Sequence, residues 1–216
     1  MGFIKPRFCH SNSTKVNKVI SYKNKQVDRE DYLLKICSGK SVLNVGCLAA
    51  DKKSILHNKI ESVSHRCLGL DIFDANVPNY IKGDAQNMSF DEQFDVIVIG
   101  EVIEHLWNIE GCLRGAFKAL KVGGTLVITT PNAYSPVFLK DAIRGKVVTN
   151  DPYHVLLFDV TTLSNMLNNF SGNMFSGEIF FYKERAADSV VYKIQKIAEK
   201  IKNTYSRGLI AELVKL

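Results

Sequence analysis

Two acidic side chains and a histidine stand close together near the middle of the chain, at Glu101, Glu104 and His105. They directly follow an apolar segment and are predicted to begin a helix. Because residues three and four positions apart lie on one side of a helix, these three side chains would share a face. Two carboxylates and an imidazole can bind a divalent cation, and His154 is a candidate fourth ligand. The alternative is structural: the acids cap the helix start and the histidine packs.

A glycine turn forms a second candidate site. The apolar run 42–45 is typical of a buried parallel strand, and Gly46 ends it. Glycine permits a tight turn and lets a ligand approach the main chain. A second apolar strand ends in Asp71, 25 positions later. An acid at this place can accept hydrogen bonds from ribose hydroxyls, although Asp71 can also be a turn or cap residue.

Strand and helix patterns alternate along the chain, which predicts a parallel sheet with right-handed crossovers. The predicted strands are 41–45, 65–71, 80–86, 94–100, 125–130 and 178–182, the last antiparallel at the sheet edge. The predicted helices are 28–37, a short one opening at 51, 101–121, 159–170 and 187–202. Residues 1–25 are expected to form a loose basic arm. In such a sheet, ligands bind at the carboxyl ends of the strands.

The composition is that of a globular protein in a reducing compartment. Of 216 residues, 46% are hydrophobic and 23% are charged. No apolar run reaches the ~20 residues of a membrane span. Five scattered cysteines without a C-x-x-C pair argue against a zinc knuckle or a disulfide framework, and predict a cytoplasmic protein. Cys47 and Cys67 are expected to be buried and unreactive.

Positive charge is concentrated at both ends of the chain. The formal charge is +6 in residues 1–40, −4 in 41–182 and +4 in 183–216. The ends could therefore contact nucleic acid or anionic lipid, or be ordinary solvated surface. The predicted helix 187–202 places four apolar residues on one face and three lysines on another. It is expected either to pack on its own domain or a homodimer partner, or to make a peripheral membrane contact.

The order of these motifs resembles the class I S-adenosylmethionine-dependent methyltransferases over about residues 40–170. Similar segments are Val42 to Ala50, the glycine motif; Leu68 to Asp71, the ribose-binding acid; Gly83 to Ala85, the adenine contact; and Phe94 to Ile97, Glu101 to Leu106, Gly123 to Asn132 and His154 to Phe158. The later segments are similar to the branch of quinone-biosynthesis O-methyltransferases and small-molecule and sugar methyltransferases. The resemblance implies a Rossmann-like, doubly wound, mostly parallel α/β sheet of the seven-stranded type. It divides the chain into a basic arm and helix (1–39), a methyltransferase domain (40–184) and a basic amphipathic C-terminal helix (185–216).

The resemblance also implies S-adenosylmethionine as cofactor and methyl transfer to oxygen of a small-molecule or glycan acceptor. The implied cofactor-binding residues are Asn44, Gly46, Cys47, Asp71, Ile72, Asp84, Ala85, Gly100 and Glu101. Glu101 is implied to lie near the methyl group, and His154 is a candidate base for the acceptor hydroxyl. Glu101, Glu104, His105 and His154 together resemble the metal set of small-RNA 3′-terminal 2′-O-methyltransferases, which implies Mg²⁺ or Mn²⁺.

Three departures from the family pattern support rival functions. Asn44 stands where the family usually has an acid, and Leu48 and Ala50 stand where it usually has glycines. These changes leave open a non-catalytic cofactor-binding or scaffold protein. The Glu-Glu-His-His set and the basic ends leave open an RNA 2′-O-methyltransferase. A NAD-type dehydrogenase is disfavoured by the missing glycines and by the Asp84 segment.

Overall fold

Eight strands form one mixed sheet in the computed structural model, which describes residues 20–48, 55–138, 145, 151–171, 174–183 and 190–216. The strands are β1 (Ile20–Asp28), β2 (Ser41–Val45), β3 (Arg66–Asp71), β4 (Tyr80–Lys82), β5 (Phe94–Gly100), β6 (Leu120–Pro131), β7 (Phe175–Lys183) and β8 (Gly208–Lys215). The helices are α1 (Arg29–Cys37), α2 (Ile55–Val63), α3 (Ile109–Ala119), α4 (Val160–Ser171) and α5 (Val190–Ile201).

The strand order is β4-β3-β2-β5-β6-β8-β7-β1. Neighbouring strands are parallel except where β8 pairs with β6 and β7. The chain runs outward from β2 through β3 to β4, then returns to the other side of β2 at β5. The switch point of the sheet therefore lies between β2 and β5, at the carboxyl ends of the strands where ligands bind in such folds. The predicted Rossmann-like, mostly parallel fold is confirmed.

Two details at the β7 side of the sheet differ from the prediction. The segment 178–182 lies in β7, which is parallel to β1 and is not the edge strand. The antiparallel member is β8, formed by residues within the predicted C-terminal helical segment. The sequence of β8 is mostly apolar apart from Glu212 and Lys215, as expected for a strand that lies between two others and is largely buried on both faces. The sheet thus takes strands from all three predicted segments of the chain, whose boundaries stay predictions.

Residues 20–28, of which 20–25 were expected in a loose arm, form the edge strand β1. The interpretation as an arm was wrong here because an edge strand needs few apolar residues. Ile20 is buried, whereas Lys23 and Lys25 form ion pairs with Glu178 of β7. Cross-strand charge pairs therefore replace the apolar alternation that marks an interior strand. The rest of the expected arm, residues 1–19, lies outside the described residues.

Apolar side chains cover both faces of the sheet. Leu43 and Val45 of β2 point into the cluster that contains α3 and α4, and Val42 points into the cluster that contains α1 and α2. This alternation follows from the two-residue period of a strand. Helices on both faces are what a doubly wound fold requires, and they leave the strand ends as the accessible edge.

The predicted helix 101–121 is shorter than expected and begins later. Residues Ile103–His105 form a 3₁₀ turn, and α3 begins only at Ile109. Asn108 caps α3, because its side-chain oxygen accepts a hydrogen bond from Gly111 N at 2.9 Å. Glu101 and Glu104 consequently do not share an α-helix. The predicted helix 187–202 is confirmed where it is described, as α5.

None of the helices in the described ranges is long and apolar enough to cross a membrane.

Candidate active site

The turn after β2 requires glycine for two reasons. Gly46 has a φ of +71°, in the left-handed region that side chains disfavour. A Cβ at this position would also lie 2.1 Å from Val102 Cγ2. Glycine is therefore needed at position 46 because a side chain there would overlap Val102 in the loop after β5. The Gly46 amide donates to Leu70 O at 2.8 Å, which fixes the turn to β3.

The carboxylate of Asp71 is joined to this turn. Its Oδ2 accepts from Leu48 N at 3.0 Å, and its Oδ1 accepts from Phe73 N at 3.3 Å. A carboxylate has about four lone-pair directions, so acceptor capacity remains after these two bonds. The next residue, Ile72, is 59% exposed and offers an apolar surface beside the acid. The turn and the acid therefore meet at the carboxyl ends of β2 and β3.

Asn44 is buried, and its side chain contacts a histidine in the protein interior. Its Nδ2 lies 3.2 Å from Nδ1 of His57, on the face covered by α2. Burial lowers the pKa of His57, so the ring is neutral and can accept from the amide. A neutral amide suits this pair better than a carboxylate would. This contact gives a physical reason for the departure from the usual acid at position 44.

Two further predicted contacts lie beside the turn. Cys47 is buried, as expected, and burial raises the pKa of its thiol to about 12, which favours the unreactive thiol form. The same is true of Cys67. Asp84 caps the 3₁₀ turn Ala85–Asn87 by accepting from Gln86 N at 2.8 Å, and Ala85 is buried. The Asp84 segment is therefore a fixed loop beside the start of α3.

Glu101 lies at the end of β5 in an unusual backbone conformation. Its φ is +57°, a strained value for a residue with a side chain. Its Oε1 accepts from Thr129 Oγ1 at 2.9 Å and from Tyr182 OH at 3.0 Å. Arg29 Nη2 lies 3.9 Å from the same oxygen, and a Cβ on Gly100 would lie 3.2 Å from that nitrogen. The carboxylate is thus held by residues of β6, β7 and α1.

Sequence reasoning missed Arg29, Thr129 and Tyr182. Each contacts Glu101 across a large sequence separation, 81 residues in the case of Tyr182. No local pattern marks such contacts. The signal that was available is weaker: Thr129 and Tyr182 each lie near the carboxyl end of a predicted strand.

Glu104, His105 and His154 come together on the other face of the sheet. Each offers a ligand atom, and these atoms lie within 4.8 Å of one another. The rings of His105 and His154 are 4.6 Å apart, edge to face. The backbone fixes this cluster, because Val155 N donates to Glu104 O at 2.9 Å. His105 Nδ1 lies 3.2 Å from Tyr153 O, which can only accept, so this nitrogen carries the proton.

Two buried polar atoms in the cluster, Glu104 Oε1 and His154 Nδ1, have no hydrogen-bond partner among the described residues. The other oxygen of Glu104 accepts from Thr130 Oγ1 at 3.0 Å. Burial and then the charge of Glu101 raise the pKa of Glu104 to about 8. Burial and then the neighbouring His105 lower the pKa of His154. A cation or a hydrogen-bonding ligand in the cluster would therefore provide a partner for these two atoms.

The four predicted metal ligands are thus divided. Three form the cluster, but Glu101 is outside it, because its carboxylate turns to Tyr182 and Thr129. The prediction that Glu101, Glu104 and His105 share a helix face was wrong. Residues 103–105 form a 3₁₀ turn, and the backbone of Glu101 has a left-handed conformation.

Comparison with known proteins identifies a methyltransferase domain in this chain. Residues 43–128 match a methyltransferase domain. A probable S-adenosylmethionine-dependent methyltransferase from Mycolicibacterium smegmatis is 28% identical over 143 residues, 61% of this chain and 51% of that protein. A ubiquinone biosynthesis O-methyltransferase from Rickettsia bellii is 30% identical over 70 residues, 32% of this chain and 29% of that protein.

A similar solved structure is the N-methyltransferase NodS from Bradyrhizobium japonicum in complex with S-adenosyl-L-homocysteine. It has a TM-score of 0.56 and 16% identity, with 87% of this chain and 85% of that chain covered. At this identity the likeness concerns the fold. The chain spans about half the length of the first of these curated relatives and less of the second. Residues 43–128, which contain the Gly46 turn, Asp71 and the Glu101–His105 segment, therefore form a methyltransferase domain similar to those of S-adenosylmethionine-dependent methyltransferases.

Proposed function

We propose that this protein binds S-adenosylmethionine at the carboxyl ends of β2 and β3 and methylates an oxygen of a small-molecule or glycan acceptor. The observation that carries the proposal is the bond from Leu48 N to Asp71 Oδ2, 3.0 Å, which joins the glycine turn to the acid. A nucleoside binding there would meet turn amides and a carboxylate held in one geometry.

The residues around this bond suit an adenosyl group. Asp71 retains acceptor capacity for ribose hydroxyls. Ile72 and Phe73 are exposed apolar side chains next to it, suitable for the face of an adenine ring. The amino-acid end of the cofactor would lie toward Asn44, Cys47, Gly100 and Glu101. These assignments, and the adenine contact of Asp84 and Ala85, are parts of the proposal.

When bound, S-adenosylmethionine supplies a methyl group on a sulfonium leaving group, so the protein must mainly position the acceptor and remove its proton. The acceptor oxygen forms a bond to the methyl carbon as the carbon–sulfur bond breaks, and the electron pair goes to sulfur. His154 suits the proton-accepting role, because its lowered pKa keeps the ring neutral and its buried Nδ1 has no partner among the described residues. Glu101, fixed by Tyr182 and Thr129, provides a negative charge at the end of β5.

A metal-dependent reaction is the second candidate, because Glu104, His105 and His154 partly fit a divalent cation. One carboxylate and two imidazoles favour Mn²⁺ over Mg²⁺, which prefers oxygen ligands. The cation would lie beside the acceptor and lower the pKa of its hydroxyl. Glu101 would have to leave Tyr182 to become a further ligand. This set is also the feature that supports an RNA 3′-end as acceptor, and a steep salt dependence of RNA binding would favour that acceptor.

Calorimetry with S-adenosylmethionine and S-adenosyl-L-homocysteine tests the cofactor site. Asp71→Asn should weaken binding at least about tenfold, since the neutral amide replaces the charged acceptor of ribose hydroxyls. Asp74→Asn, at an exposed acid three residues away, is the matched control and should leave affinity unchanged. Equal effects of the two substitutions would contradict the assigned site.

Turnover separates an enzyme from a scaffold. The release of S-adenosyl-L-homocysteine is measured with panels of hydroxylated aromatic compounds, glycans and RNA ends, with chelator and with added Mn²⁺. Cofactor binding without turnover in every panel would favour the non-catalytic alternative. Turnover that is insensitive to chelator would remove the metal-dependent candidate.

A further inference from the structure

Among the described side chains of helix α5, two isoleucines are exposed and a polar residue is buried. Ile197 and Ile201 are 61% and 69% exposed, whereas Gln195 is 3% exposed. Gln195 is anchored on both sides, since its Oε1 accepts from Ser135 Oγ at 3.0 Å and its Nε2 donates to Glu199 Oε1 at 2.9 Å. In a helix that only packs on its own domain, these two isoleucines would be buried and the glutamine exposed. The described residues therefore leave these two isoleucines uncovered, and a binding partner would be needed to bury them.

Lysines adjoin the isoleucines on the exposed side of α5, so both of the faces that the sequence distinguishes are open to solvent here. Residues 193, 196, 197, 200 and 201 follow the spacing i, i+3, i+4, i+7, i+8, which places them on one side of a helix. Three of them are exposed lysines: Lys193, Lys196 and Lys200. These five residues, called the α5 stripe below, thus combine two aliphatic side chains with three positive charges on the exposed side of α5.

The α5 stripe lies at the same edge of the sheet as the candidate active site. Helix α5 connects the end of β7 to the start of β8, and β7 has the same direction as β6 because both are antiparallel to β8. Ser135, which holds Gln195, follows the end of β6 closely. Trp107, exposed to 85%, and Tyr153 also lie in loops at this edge.

We propose that the α5 stripe docks on an anionic phospholipid bilayer, with Ile197 and Ile201 inserted at the headgroup level and the three lysines paired with lipid phosphates. A basic amphipathic helix lying in the interface plane binds through these two contributions together. A polar cleft of about 430 Å³ adjoins Ile201 and is lined by Lys200, Lys202 and Asn203, with Glu199 also present. The ammonium groups of Lys200 and Lys202 beside this cleft can pair with a phosphate headgroup.

A second copy of the chain is a poorer occupant of this face. A two-fold contact buries the same patch on both copies, so it would bring the three lysines of one helix against those of the other. The only acid on the middle of α5, Glu199, is already bonded to Gln195. An anionic surface neutralises the lysines and covers the isoleucines at once.

The inference also specifies the acceptor class, and in this respect it rests on the proposed function. Docking through α5 would turn the carboxyl edge of the sheet toward the membrane. The acceptor would then be an amphiphile whose reactive oxygen lies at headgroup depth, rather than a freely diffusing solute.

The test is flotation of the full chain, without cofactor, with vesicles of phosphatidylcholine alone or of phosphatidylcholine and phosphatidylglycerol in equal amounts. The protein should float only with the anionic vesicles. Ile197→Ser combined with Ile201→Ser, and separately Lys196→Gln combined with Lys200→Gln, should each weaken partitioning by about tenfold or more.

Matched controls lie at the opposite edge of the sheet. Val122→Ser removes another exposed aliphatic side chain, and Lys35→Gln combined with Lys118→Gln removes two other exposed charges. These controls should change partitioning by less than about twofold, because they are outside the docking face.

No flotation of the parent protein with anionic vesicles, or equal losses in the controls, would overturn the proposal. So would a dimer in solution that the Ile197→Ser, Ile201→Ser variant dissociates, since the face would then join two copies. Calorimetry with S-adenosyl-L-homocysteine on the same variants keeps the two proposals separate. If the parent protein binds the nucleoside but does not float with anionic vesicles, only the membrane surface is refuted; if it floats but binds no nucleoside, only the proposed function is refuted.

Discussion

Replacing Gly46 by alanine tests the contact that shapes the turn after β2, where we propose that the cofactor binds. At a φ of +71° an L-residue costs about 1–2 kcal/mol, part of which is offset by the lower entropy of the unfolded alanine chain. The added Cβ would lie 2.1 Å from Val102 Cγ2. Because valine is stiff at χ1, relief of this overlap requires an unfavourable rotamer or a backbone shift, at a further cost of about 1–3 kcal/mol. We therefore expect Gly46→Ala to destabilise the protein by about 2–4 kcal/mol.

Gly39 provides a control with the same backbone conformation and no steric contact. Its φ is +70°, and a Cβ there would meet nothing within 4 Å. Gly39→Ala should therefore cost only about 1 kcal/mol, and the difference between the two variants measures the contact with Val102.

Val102→Ala in the Gly46→Ala background should recover the steric part of the cost. With both methyl groups removed, the nearest atoms to the new Cβ are Val102 Cβ and Gly100 O, each at 3.6 Å. Urea unfolding of the parent, the two single variants and the double variant yields a coupling energy, expected to be about 1–3 kcal/mol in favour of the double variant. Equal costs of Gly46→Ala and Gly39→Ala, or no coupling with Val102, would refute the reasoning.

Three other predictions concern single side chains. Tyr182→Phe should lower the free energy of unfolding by about 1 kcal/mol, measured in urea, because the buried hydroxyl donates to Glu101; an unchanged value would show that this bond contributes nothing. Cys47 should react with a thiol reagent far more slowly in native protein than in denatured protein, because its thiol is buried and has a pKa of about 12; equal rates would contradict the packing of the turn. In chelator, Glu104→Gln should become steadily more stable relative to the parent as the pH rises from 4.5 to about 8, by on the order of a few kcal/mol, because the raised pKa of Glu104 contributes stability that is lost over this window; a constant difference in urea unfolding would exclude the shift.

The parts of the molecule that follow local rules could be predicted from the sequence. The Gly46 turn and Asp71 were found because a buried strand, a glycine and a second strand ending in an acid are contiguous patterns. The edge strand β1 was missed because its stabilisation comes from Glu178, about 150 residues away, rather than from its own apolar residues. Strand β8 was missed because a short, mostly apolar segment interrupted by Glu212 does not itself reveal where it inserts in a sheet.

The candidate site was predicted as a set of residues but not as an arrangement. The spacing of Glu101, Glu104 and His105 was interpreted with helical geometry, and Asn108 starts the helix only after them. What no spacing could show is that Arg29 and Tyr182 hold Glu101 from other elements. Local propensity cannot register contacts that tertiary packing imposes.

The two carboxylates of the site have different chemistry because they lie on different faces of the sheet. Consecutive residues of β6 point to opposite faces, and Thr129 binds Glu101 whereas Thr130 binds Glu104. Glu101 lies toward Arg29, but Glu104 is buried beside two imidazoles and has a pKa of about 8. At neutral pH the cluster therefore keeps its proton on the Glu104 carboxyl, and His154 stays neutral and able to accept a proton from a hydroxyl.

A divalent cation bound by this cluster would have to displace the proton of Glu104, since only a carboxylate is a good ligand. We therefore expect Mn²⁺ affinity, measured by calorimetry, to rise by about tenfold per pH unit below the pKa of Glu104 and to level off near pH 8. Glu104→Gln should abolish both the binding and its pH dependence, whereas Glu110→Gln, an exposed acid on α3, should change neither. Mn²⁺ binding that is independent of pH would mean that the cation is held elsewhere, and the cluster would then act through His154 alone.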